Sequence, residues 1–396
     1  MKIGMLLDND FKSDPRVLNE AVTLVQAGHE VHILCFSYGK LPVYEVKKGI
    51  HIHRTRIPKV VKDGLFILIN WLPLYTLLWF VIGGLAIRRY GLGAIHAHDL
   101  YMAKSGWYLK RWFSVKFVLD LHENFPAAIL AYKWIRKFPH RLFVNAGCWE
   151  KNEHELLQYP DFIITLSSSY TKYLTTKYPH LSGTKFVDYP NVPDVSTLQA
   201  FDTGLKFEDL PQGFWLFYFG VVSERRGLIT VLESMVNQLG EYADIKLLIV
   251  GPIDKAELDR FTFYLNHPSL KGRVVHFEWK DVSELPMLIN SSSVCISPIE
   301  KNPQHDSGIA NKVFQYMLFA KPIIVSNCTP QEDLVVATEC GLVFKSGNQK
   351  DFSEKVILMY QNAALRVSMG TNGRKAVLET YNLANFGKRI QSLYAD

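Results

Sequence analysis

Two hydrophobic rhythms alternate along this chain. Short apolar, β-branched runs are separated by longer stretches whose apolar residues recur every three or four positions. The first rhythm marks buried strands of a parallel sheet, and the second marks helices packed on it. Strands are predicted at 2–7, 30–36, 52–55, 94–97, 116–121, 162–166 and 186–189. Helical patterns lie between them, such as 16–27 and 100–113, and Gly28-His29 closes the first helix. Asn191-Val192-Pro193-Asp194 interrupts the alternation, and the stretch to Gly213 reads as a loop-like linker. The alternation then restarts, with strands at 215–220, 246–251, 274–278, 294–298, 322–326 and 342–344. Helices are predicted at 228–238 and 311–319, and 364–396 reads as largely helical.

Alternating strand and helix implies a parallel sheet with right-handed crossovers. The chain is therefore predicted to be an α/β protein of two such units, with a boundary near residue 200. Ligands of open α/β sheets bind outside the carboxyl ends of the strands. A cleft between the two halves is the expected site.

One segment breaks the rhythm. Leu65 to Ile87 carries no charge, with Lys59 and Lys62 before it and Arg88 and Arg89 after it. By length it is a membrane-span candidate, since a span needs about 20 apolar residues. Topology argues against a span, because the flanking strands His51–His53 and Ala94–Ala97 belong to one sheet. Asn70, Pro73 and Gly83-Gly84 are also expected to break the run. Two readings stand. The segment is a very apolar crossover helix, or it docks in the membrane interface with Trp71 and Trp79 as anchors.

Composition adds limits. Apolar residues make up 48% and charged residues 21% of 396, which is globular and not disordered. The net charge of +6 is spread out, without the dense basic stripe of a nucleic-acid protein. A solvated surface is the plain reading, and a phosphorylated substrate or an anionic membrane surface fits the excess about as well. The five cysteines form no C-x-x-C pair and read as buried free thiols of a reducing compartment. No Cys/His group has zinc-ligand spacing. The opening MKIGMLLDND reads as a first buried strand and not a signal peptide, so a cytoplasmic protein is expected.

Two motifs carry chemistry. In the first, a strand ends at Gly220, a short loop holds Arg225 and Arg226, and Gly227-Leu228 opens a helix. Glycine permits close backbone approach to a ligand, and arginine offers a planar fork suited to phosphate. A surface turn with solvated arginines is the plainer alternative. In the second, His305-Asp306-Ser307-Gly308-Ile309-Ala310 leads into a helix opening near Asn311 and carrying Lys312, Gln315 and Met317. Amide N–H groups at a helix N-terminus attract anions, and Lys312 adds a point charge. Val313, Phe314 and Met317 can pack in the core while the polar face binds.

With these motifs in place, the chain resembles the retaining glycosyltransferases of family GT4, which share the GT-B fold. The likeness extends over nearly the whole chain. It rests on Asp14-Pro15-Arg16-Val17, Gly28-His29-Glu30-Val31, Ile95-His96-Ala97-His98-Asp99, Asp120-Leu121-His122-Glu123 and Pro190-Asn191-Val192-Pro193-Asp194, together with the two motifs above. The resemblance implies two Rossmann-like domains facing across a central cleft. Residues 1–200 would bind the acceptor, 201–379 would bind the nucleotide-sugar donor, and a helix at about 380–396 would return to the first domain.

It also implies roles. Arg226 and Lys312 would contact the donor diphosphate, and His98 would sit near the transferred sugar. Gly220, Arg225, Gly251, Trp279, Ser307, Gly308, Asn311 and Gln315 would border the donor. Arg16, Asp99, His122 and Glu123 would line the acceptor side, with Glu123 alternatively a helix-end residue. His96 reads as structural. The sequence departs from the family at Ser307 and Gln315, where many members carry paired glutamates, and at Val221, where an arginine is common.

The implied reaction moves a sugar from a nucleoside diphosphate to an acceptor hydroxyl with retention. A front-face displacement is expected, because no carboxylate nucleophile stands out. No metal or other cofactor is expected, since protein cations meet the leaving group. The expected partners are the donor, a glycan or lipid-linked acceptor and a membrane surface met through 65–87, with no nucleic acid. The expected place is the inner face of the membrane, in cell-surface polysaccharide synthesis. A catalytically silent partner subunit and a nucleotide-sugar epimerase are the alternatives.

Overall fold

The computed structural model describes residues 1–12, 14–39, 41–132, 135, 143–207 and 210–395. It divides into two compact units. One comprises Met1–Pro190 and the segment from Phe386 on, and the other is Asn191–Asn385. Both are α/β, as the alternation predicts.

The first unit holds β1 (Lys2–Leu6), β2 (Glu30–Ser37), β3 (Tyr44–Lys47), β4 (Ile50–Arg56), β5 (Ala94–His98), β6 (Lys116–Asp120), β7 (Phe162–Thr165) and β8 (Phe186–Asp188). They form one sheet in the order β3-β4-β2-β1-β5-β6-β7-β8. Every pairing is parallel except β3 with β4. The winding direction changes between β1 and β5. The sequence reading missed β3, because a short edge strand with exposed Tyr44 and Val46 shows no buried run.

The second unit holds β9 (Phe214–Phe219), β10 (Ile245–Val250), β11 (Val274–Phe277), β12 (Val294–Ser297), β13 (Ile323–Ser326) and β14 (Gly341–Phe344). Their order is β11-β10-β9-β12-β13-β14, all parallel, with the change of winding between β9 and β12. The four central strands, β9, β10, β12 and β13, are buried on both faces, which is why they read as unbroken apolar runs.

Helix ends follow local chemistry. Asp14 caps the helix Pro15–Gln26 through the Val17 amide, and proline at the first position is pre-set for helical φ. Val17, Ala21 and Leu24 bury its inner face. The linker is less loop-like than predicted. Asp194 caps a short helix, Val195–Ala200, through the amides of Ser196 and Thr197. Positions 208–209 of the linker lie outside the described residues.

The apolar segment forms two helices, Lys59–Ile67 and Leu74–Tyr90. The break falls at Asn70–Pro73, as expected. Gly83 and Gly84 do not break the second helix. They let Ala103–Phe113 pack against it, since a β-carbon at either would press on Leu109 or Phe113. Trp79 is not an interface anchor. It is fully buried against Phe36, with ring centroids 4.8 Å apart, whereas Trp71 is exposed. No helix among the described residues is long and apolar enough to cross a membrane. The strands on either side, β4 and β5, lie in one sheet as the topological argument required.

From Phe386 on, the chain is built into the first unit. Arg389 pairs with Asp188 at 2.5 Å, Gln391 donates to the Thr23 carbonyl, and Lys116 donates to the Leu393 carbonyl. Tyr394 is buried, and its hydroxyl lies 2.8 Å from Nδ1 of buried His96. Tyr394→Phe is expected to lower unfolding free energy by about 1–3 kcal/mol, the cost of stranding a buried polar atom. Urea denaturation reads this directly, and an unchanged midpoint would show that the bond contributes nothing.

The five cysteines are all free, and Cys35, Cys295, Cys328 and Cys340 are buried. Burial pushes the Cys35 thiol up to about 12, so it behaves as a small apolar side chain.

Candidate active site

In the second unit, the loops after β9 and β12 flank the point where the winding reverses. Ligands bind at that point in open α/β sheets. The β9 loop begins at Gly220, with φ of +134°, and the β10 loop begins at Gly251, with φ of +145°. A β-carbon on Gly251 would also collide with the Gly220 carbonyl, so glycine is required there on both counts, while at Gly220 the positive φ alone favours it. Gly227 ends the arginine turn at φ +72° and rests directly on the Pro298 carbonyl beyond β12. The two loops are thus locked together. Arg225 is held by Gln304 at 3.1 Å, and half-buried Arg226 follows it.

The helix Asn311–Leu318 is fixed to the end of β9. The Phe219 amide donates to the Tyr316 hydroxyl at 2.9 Å, and the Lys312 ammonium sits 3.6 Å from the Tyr218 ring centroid. Lys312 is buried. Burial, with nearby Arg226 adding to it, pulls its pKa well below the usual lysine range. A bound diphosphate would reverse this by pairing the charge. Binding of a nucleoside diphosphate is therefore expected to take up a proton at Lys312 and to weaken as pH rises. Calorimetry in buffers of different ionisation enthalpy measures that uptake, and Lys312→Met should abolish it.

Asn311 is exposed on the first turn and Gln315 is half-buried one turn later on the same side. The Ser307 hydroxyl donates to the Gln304 carbonyl at 2.7 Å, and Gly308 is extended at φ −160°. Trp279, exposed, lies beyond β11 at the edge of the sheet. His305 belongs to this loop although the sequence reading gave it no role. It lies 2.6 Å from the Glu300 carbonyl through Nδ1 and is pushed down to about 4 by burial, with Arg226 and Arg225 adding to that.

In the first unit, a buried polar network lies at the carboxyl ends of β5 and β6. His98 ends β5, and Asp120 ends β6 directly across from it. The Arg16 guanidinium grips Asp120 at 2.9 and 2.7 Å, lies 3.2 Å from Glu20 and donates to the Tyr189 carbonyl. Arg16 therefore holds the floor of the site, with its donors turned to protein. His122 Nε2 lies 2.8 Å from Asp120 and 3.0 Å from His98 Nδ1, while its Nδ1 lies 3.8 Å from Asp99. Asp99 has a left-handed φ of +71°, a strain typical of functional positions, and accepts from Tyr101. Glu123 accepts from Tyr132 at 2.6 Å and stands just before Asn124, the cap of helix Phe125–Ala131.

Protonation follows from these contacts. Burial alone would depress His122, but Asp99 and Asp120 outweigh it and hold the pKa up to about 10. Burial would raise Asp120, but Arg16 and His122 hold it well below the carboxylate range. Burial, then the neighbouring Asp120 charge, raises Glu20 well above that range. Burial keeps His98 neutral, partly offset by Asp120. His122 has one hydrogen on Nε2 and Asp120 is its nearer acceptor; the outer ring nitrogen of His98 is Nε2. That Nε2 has no hydrogen-bond partner in the protein among the described residues. Glu20 and Asp120 were not singled out as site residues from sequence. The only signals were the Arg16–Glu20 spacing on one helix face and an aspartate closing an apolar run.

Among the described residues, one group could hold a metal ion: Glu20, His96, His98 and Asp120, with ligand atoms within 4.8 Å of one another. Arg16 already supplies positive charge to both carboxylates, so the group does not suit a cation.

The chain matches two family models. "Glycosyltransferase Family 4" covers residues 16–186, and "Glycosyl transferases group 1" covers 208–376. The capsular polysaccharide biosynthesis glycosyltransferase CapM of Staphylococcus aureus is 25% identical over 188 residues, 47% of each chain. The match thus spans about half the length of that curated relative. Solved structures with the same fold include a sucrose-phosphate synthase from Thermosynechococcus elongatus. It has a TM-score of 0.77 and 18% identity, covering 100% of this chain and 98% of that one. A glycosyltransferase from Rickettsia africae has a TM-score of 0.75 and 15% identity, covering 99% and 97%. Anabaena HepE, in complex with UDP, has a TM-score of 0.69 and 13% identity, covering 99% of each chain. With both halves matched and the two parallel sheets in place, the chain belongs to glycosyltransferase family 4, on the GT-B fold.

Proposed function

We propose that this protein transfers a sugar from a nucleoside diphosphate donor to an acceptor hydroxyl, with retention and without a metal. The observation that carries this is the pair of Lys312, buried and beside Tyr218, and Arg226, on interlocked loops at the β9/β12 reversal. As the bond from the anomeric carbon to the diphosphate oxygen breaks, negative charge grows on that oxygen. Arg226, Lys312 and the amides opening the helix at Asn311 meet that charge. The acceptor oxygen bonds to the same face of the anomeric carbon, and its proton passes to the departing diphosphate. His98 Nε2 would meet a sugar hydroxyl, while Asp99, His122 and Glu123 would face the acceptor above Arg16. Gln315 and Asn311 would meet the ribose, with Gly220, Gly251 and Trp279 beside the nucleoside and Ser307-Gly308 near the sugar.

The acceptor in this reading is lipid-linked, in cell-surface polysaccharide synthesis at the inner face of the membrane. The outward side of the helix Leu74–Tyr90 supports it, being apolar where a soluble helix would be polar. CapM, by its name, acts in capsular polysaccharide biosynthesis.

The test is a thermal-shift and hydrolysis screen with UDP-, GDP-, ADP- and TDP-sugars. Stabilisation by one donor, lost in Arg226→Ala, would support the reading and name the base. No response from folded protein would favour a silent partner subunit. That second reading draws on Ser307 and Gln315 standing where many members carry glutamates, with the Ser307 hydroxyl turned to the Gln304 carbonyl.

A further inference from the structure

The first sheet has a second concavity, at the opposite end from His98. It lies where β2 and β4 begin, under the last turns of the helix Leu74–Tyr90, and encloses about 640 Å³. Tyr44, His51, His53, Ile82, Arg89 and Tyr90 line it. His51 and His53 alternate on one face of β4, and His51 stands beside His32 of β2 in register. The rings are stacked, with His32 and His51 centroids 4.9 Å apart and His53 and Tyr90 centroids 4.6 Å apart. The Tyr44 hydroxyl is 2.9 Å from His51 Nδ1, and the Tyr90 hydroxyl is 3.3 Å from His53 Nδ1.

The charge of this cavity is one-sided. Glu30, the acidic residue of its wall, is already paired with Lys2 at 3.0 Å and His32 at 2.9 Å. Arg54 is buried and paired with Glu45 at 2.6 Å. Exposed Arg89 has the Tyr90 ring 5.5 Å away and no hydrogen bond among the described residues. Its guanidinium and the outer nitrogen of His51 are left to face a space without an unpaired acid, the phenol hydroxyls and the His32 and His53 rings being bonded to one another and to Glu30. That is the chemistry of a phosphate site.

The helix that supplies Ile82 and Arg89 also carries an outward apolar stripe. Leu74, Leu77, Val81 and Leu85, spaced by three or four, are 47%, 52%, 47% and 63% exposed. Trp71 and Leu72 extend the stripe at one end. Trp112, 75% exposed on the neighbouring helix, flanks it beside Phe80 at 6.2 Å between rings. Exposed Arg88 and Arg89 end that helix, and Lys104 and Arg111 are exposed on the neighbouring one, whereas Lys110 is paired with Asp161 and Lys116 with the Leu393 carbonyl. An apolar stripe bordered by cations is the signature of a surface that lies on anionic lipid.

We propose that this cavity binds the phosphate-bearing head group of an anionic phospholipid, with its acyl chains along the Leu74–Leu85 stripe. The proposal rests on the membrane contact put forward above and adds a defined lipid site to it. Arg89 and the His51–Tyr44 pair receive the phosphate, and Ile82 passes the glycerol to the stripe.

The full chain is tested by sedimentation with phosphatidylcholine vesicles, with and without phosphatidylglycerol. Binding is expected only to the anionic vesicles and should be lost in the double variant Leu77→Glu, Leu85→Glu, both exposed positions. Arg88→Ala and Arg89→Ala then separate a site from general attraction. A built site predicts a loss of about tenfold or more for Arg89→Ala and about fivefold or less for Arg88→Ala, a single surface cation contributing about 1 kcal/mol. Equal losses overturn the pocket. Equal binding of inorganic phosphate and soluble dihexanoyl-phosphatidylglycerol would show a free-anion site and overturn the lipid. Light scattering showing a dimer that the stripe variant dissociates would assign the face to a second copy instead. Donor hydrolysis in solution, run alongside, reports on the transferase reading independently.

Discussion

Arg226→Ala is expected to slow sugar transfer by roughly 100- to 1,000-fold at saturating donor while leaving the fold intact. The magnitude is the 2.7–4 kcal/mol that one preorganised donor contributes at a site of developing charge. The loss should fall on kcat as well as KM, because the diphosphate oxygen gains charge only as the sugar departs. Arg226→Lys should recover part of the rate, since a lysine keeps the charge but loses the planar fork. Arg225→Ala should cost less, because the Arg225 guanidinium is held by Gln304 and its carbonyl anchors the Glu300 amide. A cooperative thermal transition in Arg226→Ala would separate loss of rate from loss of fold. Steady-state kinetics with the donor found by the screen settles this. A variant within threefold of wild type would remove Arg226 from the mechanism.

The second large effect belongs to the first unit. Asp120→Ala should destabilise the protein by about 3–5 kcal/mol, the cost of removing one partner from a buried charge network. Arg16 and His122 both lean on this carboxylate, which is fully buried. The pH dependence has a definite sign. Asp120 is depressed, so its contribution is present at neutral pH and is lost as pH falls through its low folded value. His122 is raised to about 10, so its contribution is complete below about 6.5 and is lost as pH climbs toward 10. Glu20, also raised, opposes stability as pH rises above the ordinary carboxylate range. Urea titrations across pH should show the alkaline loss in the wild type and a flatter curve in Asp120→Asn. An identical alkaline slope in both would mean that His122 is not tied to Asp120.

Much of this architecture is legible without coordinates, and the reasons are specific. Strands such as Leu247–Val250 and Ile323–Val325 are buried on both faces, so every residue must be apolar and the run is unmistakable. The glycines at 220, 227 and 251 are visible because all three hold a positive φ, and at 227 and 251 backbone also lies where a side chain would be. Their neighbours Arg225, Arg226 and Lys312 could be proposed from motif order alone. What was not legible depends on partners remote in sequence. Glu20 gains meaning only beside Asp120, 100 positions away. Trp79 and Trp71 look alike in an uncharged run, yet Phe36 of β2 buries one and leaves the other exposed. Trp112 reads as the end of an ordinary amphipathic helix until Phe80 of another helix is placed beside it.

The segment from Phe386 has a consequence for synthesis. The core of the first unit includes Tyr394 against His96, and Thr23 against Gly387 and Gln391. A nascent chain therefore cannot finish its earliest-made half until residue 394 has left the ribosome, long after the second unit has been translated. A stop codon anywhere in the second unit takes away part of the first. His96 and its neighbours would be left open in the truncated product, which should behave as a target for proteolysis and not as a free-standing domain.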